Sequence, residues 1–123
     1  MNLRNVRDIL NAEVLWGEEL LDEVEVEYAF ASDLMSDVLA LTFATPGSLL
    51  LTGLTNVQIV RTASMMDMLG VVFVRGKCPD TKALSLAKNM RIPLLLSCKS
   101  MFESCGLLYV AGVLPCKILQ RRS

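Results

Sequence analysis

The residues best suited to binding a ligand follow four apolar or alternating stretches of the sequence. They supply hydroxyl groups, glycines, one carboxylate and two cations. The residues are Ser32-Asp33, Thr52-Gly53, Arg75-Gly76-Lys77 and Ser97-Cys98. Hydroxyls, uncovered backbone amides and cations bind anions such as phosphate. In open α/β sheets, ligands collect outside the carboxyl ends of the strands. If all four stretches are strands that end at one edge, the set predicts a site for a nucleotide-like or other anionic ligand.

The corner "LLLTGLTN", residues 49–56, is the centre of this prediction. Three leucines stop at Thr52-Gly53, and Thr55 or Asn56 can cap the helix that follows. The corner lacks the glycine density and the Lys-Ser/Thr pair of a phosphate-binding P-loop, so a plain strand-to-helix connection is the alternative. The predicted ligand-binding residues are Ser32, Asp33, Thr52, Gly53, Thr55, Asn56, Arg75, Gly76, Lys77 and Ser97.

Other residues offer chemistry with weaker support. Asp33 and Asp37 are four apart on a predicted helix and could share a metal or a proton, or could simply cap the helix and face solvent. The chain has no histidine, which removes the commonest general base. The four cysteines form no C-x-x-C pair, so we expect reduced structural thiols and no zinc or iron–sulfur cluster. We predict no cofactor and no catalytic residue.

The elements that must position these residues alternate along the chain. From residue 48 onward, "SLLLT", "VVFVRG" and "LLLS" are apolar throughout, and each is followed by a helical pattern: strand, helix, strand, helix, strand, helix. Uniformly apolar strands with short connections predict a parallel sheet with helices on both faces. Upstream, "EVLWG" reads as a short strand, "VEVEYAFAS" as an alternating one with Val24, Val26, Tyr28 and Phe30 on one face, and Pro46-Gly47 as a turn. Gly70 is expected to end the helix after Asn56.

Composition limits the partners. The 123 residues are enough for one domain with one core, so we predict a single domain over 1–123. A net charge of −1 predicts no binding to nucleic acid, and no segment resembles a signal peptide or a spanning helix, so we expect no membrane association and a soluble, cytoplasmic protein. Residues 1–60 carry ten acids and two bases, whereas residues 61–123 carry three acids and ten bases. This charge asymmetry, the 53% hydrophobic content and the methionines Met65, Met66 and Met68 predict a homodimer.

Three longer stretches together resemble a known family, the DRTGG domain. They are "ASDLMSDVLAL", "LLLTGLTNVQIVRTASMMDMLGVVFVRGK" and "IPLLLSCKSMFESCGLLYVAG", and the likeness runs from about residue 6 to residue 114. The literal string D-R-T-G-G does not occur in this chain. Residue by residue, the family's preferred positions match Asp33, Asp37, Thr52, Gly53, Arg61, Thr62, Arg75 and Gly76.

The resemblance implies a three-layer α/β sandwich similar to the N-terminal domain of the bacterial HPr kinase. Family members are attached to CBS-domain pyrophosphatases and phosphate acetyltransferases as accessory, regulatory parts. Small stand-alone members occur in anaerobic bacteria, some beside iron-only hydrogenase genes. The family has no established catalytic activity and no clear ligand, so the resemblance implies a non-catalytic regulatory or ligand-sensing module that acts with a partner enzyme or regulator. An interaction scaffold without a ligand, and a small enzyme that uses Asp33 or Asp37, are the alternatives.

Overall fold

The computed structural model describes residues 1–41 and 47–117 of the chain. The helices are α1 (Leu3–Leu10), α2 (Met35–Leu41), α3 (Val57–Met65), α4 (Thr81–Met90) and α5 (Met101–Val110). The strands are β1 (Glu13–Trp16), β2 (Tyr28–Ala31), β3 (Leu49–Thr52), β4 (Gly70–Phe73), β5 (Leu94–Leu96) and β6 (Leu114–Pro115), and a 3-10 helix spans Glu18–Leu20. The turn predicted at Pro46-Gly47 lies partly outside the described residues. None of the described helices is long and apolar enough to cross a membrane.

The strands form one mostly parallel sheet in the order β1-β5-β4-β3-β2-β6. The pairs β4–β5, β3–β4, β2–β3 and β2–β6 are parallel, and β1 is antiparallel to β5 at one edge. The predicted alternation of strand and helix from residue 48 is confirmed. Because β2 to β5 are parallel, their carboxyl ends lie along the same edge of the sheet.

Helices cover both faces of the sheet and make three layers, as predicted. Leu50 and Phe73 point into a core shared with α2, α3 and α4. Their strand neighbours Leu49, Leu51 and Val72 point the other way, into a core shared with α1 and α5. Every residue of β3 and β4 is buried, which explains their uninterrupted apolar sequence.

The alternating stretch "VEVEYAFAS" is a strand only in its second half. Strand β2 begins at Tyr28, whereas residues 24–26 bond to the N-terminus: the amide of Leu3 donates to the carbonyl of Val24, and the amide of Val26 to that of Met1. The prediction that Val26 and Phe30 share a face is wrong. Val26 packs in the core beside α1 and α5, and Phe30 packs against the opposite core.

The helix that follows Asn56 ends earlier than predicted. Helix α3 ends at Met65, and Gly70 opens β4 instead of ending the helix. The chain leaves the helix through Asp67, whose φ of 53° is left-handed, and the amide of Met68 donates to the carbonyl of Ala63 at 2.9 Å. The carbonyls at the end of the helix are satisfied in this way, so residues 66–69 turn directly into the next strand.

Candidate anion site

Thr52 is the last residue of β3, and the other nine predicted site residues lie on the connections that leave the carboxyl ends of β2, β3, β4 and β5. They belong to three groups. In the first group, the Asp33 carboxylate contacts Thr52, Gly53 and Arg75. The second group is the exposed pair Gly76 and Lys77, which follow Arg75 in the sequence. The third group makes hydrogen bonds to nearby backbone or to the protein interior, and it consists of Ser32, Thr55, Asn56 and Ser97.

The carboxylate of Asp33 is the centre of the first group. Its Oδ1 accepts a hydrogen bond from the amide of Gly53 at 2.6 Å and lies 3.4 Å from the hydroxyl of Thr52, which donates to it. Its Oδ2 accepts from Nη1 of Arg75 at 3.4 Å. Asp33 and Arg75 are 44% and 41% exposed, so the pair lies at the protein surface. A carboxylate thus lies within reach of an amide, a hydroxyl and a guanidinium that leave two neighbouring strands.

Arg75 is held in place by its backbone. Its φ is 60°, its amide donates to the carbonyl of Lys99 at 2.8 Å, and the amide of Gly76 donates to the carbonyl of Ser97 at 2.9 Å. These bonds tie the end of β4 to the connection after β5. The side chain then folds back over Gly53, where a Cβ atom would collide with the guanidinium. Glycine at position 53 is therefore what allows Arg75 to reach Asp33.

Asp33 is positioned by the strand before it. The amide of Ser32 donates to the carbonyl of Leu51 at 3.0 Å, which continues the pairing of β2 with β3 beyond the end of β2. The hydroxyl of Ser32 accepts from the amide of Leu34 at 3.0 Å and shapes the turn into α2. Asp33 does not share a helix face with Asp37, because α2 begins at Met35 and both oxygens of Asp33 face other groups.

The starts of the next helices are covered by their own caps. Asn56 caps α3 by accepting from the amide of Ile59 at 3.2 Å, which confirms Asn56 rather than Thr55 as the cap. Asp80 caps α4 through the amide of Ala83 at 2.8 Å, and its own amide donates to the carbonyl of Thr55. The residues left to face a ligand are therefore those of the Asp33 group and the exposed cations.

Ser97 is less suited to a ligand than the sequence indicated. Its side chain is buried, its hydroxyl lies 3.1 Å from that of Ser104 on α5, and it accepts from the amide of Lys99. The sequence analysis did not single out Lys99, although it lies two residues after Ser97 on the same connection. Its backbone carbonyl accepts from the amide of Arg75, which places the backbone of Lys99 beside the end of β4.

The four cysteines differ in exposure. Cys78 and Cys98 are exposed, Cys105 is half-buried and Cys116 is buried, and all four are free thiols. Burial raises the pKa of Cys105, and burial also raises the pKa of Cys116, which donates to the hydroxyl of Ser48 at 2.9 Å. Across residues 1–41 and 47–117, no three carboxylate or thiol side chains come together as metal ligands.

An apolar groove elsewhere on the surface was not predicted from the sequence. An apolar groove of about 410 Å³ lies between α5 and the β2–β6 edge of the sheet, and Leu51, Tyr109 and Leu114 are among the residues that line it. No sequence pattern indicated it, because the groove is formed jointly by α5 and strands that are distant from it in the sequence.

Comparison with solved structures finds a similar regulatory region. No protein-family description matches the sequence, and no curated protein matches it. The structure is that of the CBS and DRTGG domains of the regulatory region of Clostridium perfringens pyrophosphatase, complexed with its activator, diadenosine tetraphosphate. The TM-score is 0.69 at 18% sequence identity, over 98% of this chain and 51% of that chain, so this chain spans about half of the length of its neighbour. The likeness supports a DRTGG-like α/β fold for this chain.

Proposed function

We propose that this domain is a non-catalytic regulatory module that binds an anionic small molecule, of which nucleotides are the first candidates. The observation that carries the proposal is the environment of the Asp33 carboxylate. The carboxylate of Asp33 is an anion of the protein itself, and it is held by the amide of Gly53, the hydroxyl of Thr52 and the guanidinium of Arg75. Donors that hold a carboxylate in this way also suit a phosphate oxygen.

The exchange of Asp33 for a ligand is energetically feasible. Both partners of the Asp33–Arg75 pair are more than two-fifths exposed, and exposed ion pairs contribute at most about 1 kcal/mol. Hydrogen bonds to charged groups contribute about 1.5–3 kcal/mol each. The Gly53 amide bonds a charged oxygen in either case, so that contribution nearly cancels. The phosphate gains where it engages Arg75 bidentately in place of the single 3.4 Å contact that Asp33 makes.

The exchange also gives the domain a way to report binding. Asp33 lies between the end of β2 and the start of α2, and its contacts with Gly53 and Arg75 fix the turn that leads into that helix. A ligand that displaces the carboxylate removes those contacts and alters how α2 begins. In this proposal α2 carries the signal to a partner enzyme or regulator.

The absence of catalysis is part of the proposal. No histidine is present in the chain. Asp33, the carboxylate at the centre of the group, accepts hydrogen bonds on both oxygens, so both are already engaged within the domain. The similar pyrophosphatase structure is a regulatory region, which supports the same reading. That structure is complexed with a dinucleotide, but this chain matches only half of it, so the nucleotide is a ligand to test and not an assigned one.

An interaction scaffold without a ligand is the second candidate. It is favoured by the exposed apolar residues of α5, among them Phe102 and Val110. A scaffold needs no anion site, and in that case the Asp33 group would only fasten the turn before α2 to the end of β3. Ligand titration separates the two functions.

The test is calorimetric titration of the purified chain with orthophosphate, pyrophosphate, AMP, ATP and diadenosine tetraphosphate. We expect at least one of these anions to bind, and Arg75→Ala to weaken that binding by at least about tenfold, or 1.4 kcal/mol. The same variant should change the free energy of unfolding by no more than about 1 kcal/mol, because an exposed arginine contributes little packing. Lys88→Ala removes the same charge from the last turn of α4 and should bind like the wild type. If none of the five anions binds, or if Arg75→Ala and Lys88→Ala bind equally well, the proposal is wrong.

A further inference from the structure

The exposed apolar side chains of this protein concentrate on one element. Among the described residues, nine large hydrophobic side chains are exposed, and five of them lie on α5 and the strand that follows it: Phe102, Leu107, Tyr109, Val110 and Leu114. Phe102 and Val110 are 89% and 87% exposed. A surface helix of a monomer normally turns its apolar side chains inward.

Helix α5 also turns apolar side chains outward. Its two fully buried residues are Ser104 and Leu108, and the hydroxyl of Ser104 reaches inward to that of Ser97. A helix that is apolar on its outer side as well as its inner side is typical of one that is covered on both. The outer side of α5 therefore indicates a protein surface that packs against it.

We propose that this surface is the interface of a homodimer in which the α5 helices of two copies pack antiparallel about a two-fold axis at Gly106. Phe102, Gly106 and Val110 lie four residues apart and so form one stripe along the helix. A two-fold axis through Gly106 brings Phe102 opposite Val110 of the partner subunit. The stripe is self-complementary, as an interface between identical copies must be.

Gly106 is the observation that favours a helix crossing at this point. A glycine inside a helix costs about 1 kcal/mol relative to alanine. Within one copy nothing requires that cost, since a Cβ atom at Gly106 would meet no atom within 4 Å. Helices cross at 8–10 Å according to the side chains between them, so a glycine at the crossing allows the closest approach.

The exposed area suits a second copy. From the usual size of aromatic side chains and the exposed fractions, the five side chains leave on the order of 500 Å² of apolar surface, which is at the upper end for a monomer. With polar residues at its margin, this patch approaches the ~800 Å² that each partner contributes to a standard interface. Glu103 is such a marginal residue, and the same axis places it near Tyr109 of the partner subunit, whose hydroxyl can donate to it.

The test uses light scattering and sedimentation of the full chain at tens of micromolar. We expect the wild type to be a dimer, and Phe102→Lys and Val110→Glu each to weaken self-association by at least about tenfold. An equimolar mixture of these two variants should form a dimer again, because an antiparallel pair brings the introduced lysine against the introduced glutamate. Parallel helices would bring position 102 against position 102 and would not restore the dimer.

Two further variants keep the test interpretable. Met65→Lys changes a methionine that is 72% exposed at the end of α3, on the other face of the sheet, and should remain dimeric. Gly106 borders the groove beside α5, and a Cβ added there meets no atom within 4 Å in one copy, so Gly106→Gln should give a monomer with an unchanged circular dichroism spectrum even if Phe102→Lys fails to fold. A monomeric wild type, a dimer that only Met65→Lys dissociates, or a mixture that stays monomeric would overturn the proposal. None of these results depends on whether the Asp33 group binds an anion.

Discussion

Replacing Asp33 with asparagine should tighten anion binding, although Asp33 belongs to the site. In the ligand-free protein the Asp33 carboxylate contacts the Gly53 amide and Arg75, so an incoming phosphate must displace it and then stay beside its negative charge. The side-chain oxygen of asparagine can still accept from the Gly53 amide, so the turn before α2 should keep its shape. Only the charge that competes with the ligand is lost.

The expected gain can be estimated from two contributions. Giving up the exposed ion pair with Arg75 costs the ligand at most about 1 kcal/mol. Repulsion between a phosphate and a carboxylate about 4 Å away adds about 1 kcal/mol in water. Removing both contributions tightens binding by 1–2 kcal/mol, or roughly five- to thirtyfold. The gain should shrink as salt is added, because both contributions are screened.

The assay is the same calorimetric titration, run on Asp33→Asn at low and at physiological ionic strength. Asp37→Asn is the matched control, because it makes the same charge change four residues along the chain, within α2. Binding to Asp33→Asn that is equal to or weaker than binding to the wild type, under conditions where the wild type binds, would refute the exchange of Asp33 for a ligand. An equal gain in Asp37→Asn would show instead that only the general potential had changed.

Two other predictions concern the reactivity of the cysteines and the stability of the fold at low pH. The exposed thiols should react with iodoacetamide at neutral pH well before those of Cys105 and Cys116, whose pKa burial raises, and mass spectrometry of timed samples would show four equal rates if this is wrong. A hydrogen bond from Arg4 lowers the pKa of Asp22 from 3.8, so Asp22 stabilises the fold above that pH and stops doing so as the pH falls through its lowered pKa. Asp22→Asn should therefore lower the urea midpoint near neutrality and leave it unchanged in strong acid; an equal loss at both would contradict this.

Sequence patterns predicted the centre of the sheet better than its margins. Strands β3, β4 and β5 are buried on both faces, so their apolar runs report their environment directly. The stretch around Val26 alternates like a strand, but hydrogen bonds with the N-terminus bind it away from the sheet. Strand β6 has only two residues and carries no periodic signal. The local sequence pattern does not indicate which distant segment an edge of the sheet will pair with.

The location of the candidate site could be predicted from the sequence, but the contacts within it could not. Parallel strands put the polar strand ends at one edge, and that followed from the alternation of elements. The contact of Asp33 with Gly53 joins residues twenty apart, and it depends on how two connections turn after leaving their strands. The buried hydroxyl of Ser97 is paired with that of Ser104 on α5, and no sequence pattern links these two residues. Only the folded chain reveals which polar groups satisfy one another and which remain for a ligand.

The position of β6 has a consequence for how the chain acquires its structure. Strand β2 gains its second neighbour only from Leu114–Pro115, and α1 packs against α5, so the earliest elements in the sequence are completed by the latest ones. Pairing of such distant segments slows folding, because a long loop must close before the contacts it brings can form. During synthesis, the face of the sheet under α1 would stay partly uncovered until the ribosome had released residues 101–115. Nascent chains halted before Met101 should accordingly be sensitive to protease and bind chaperones, whereas the complete chain should not.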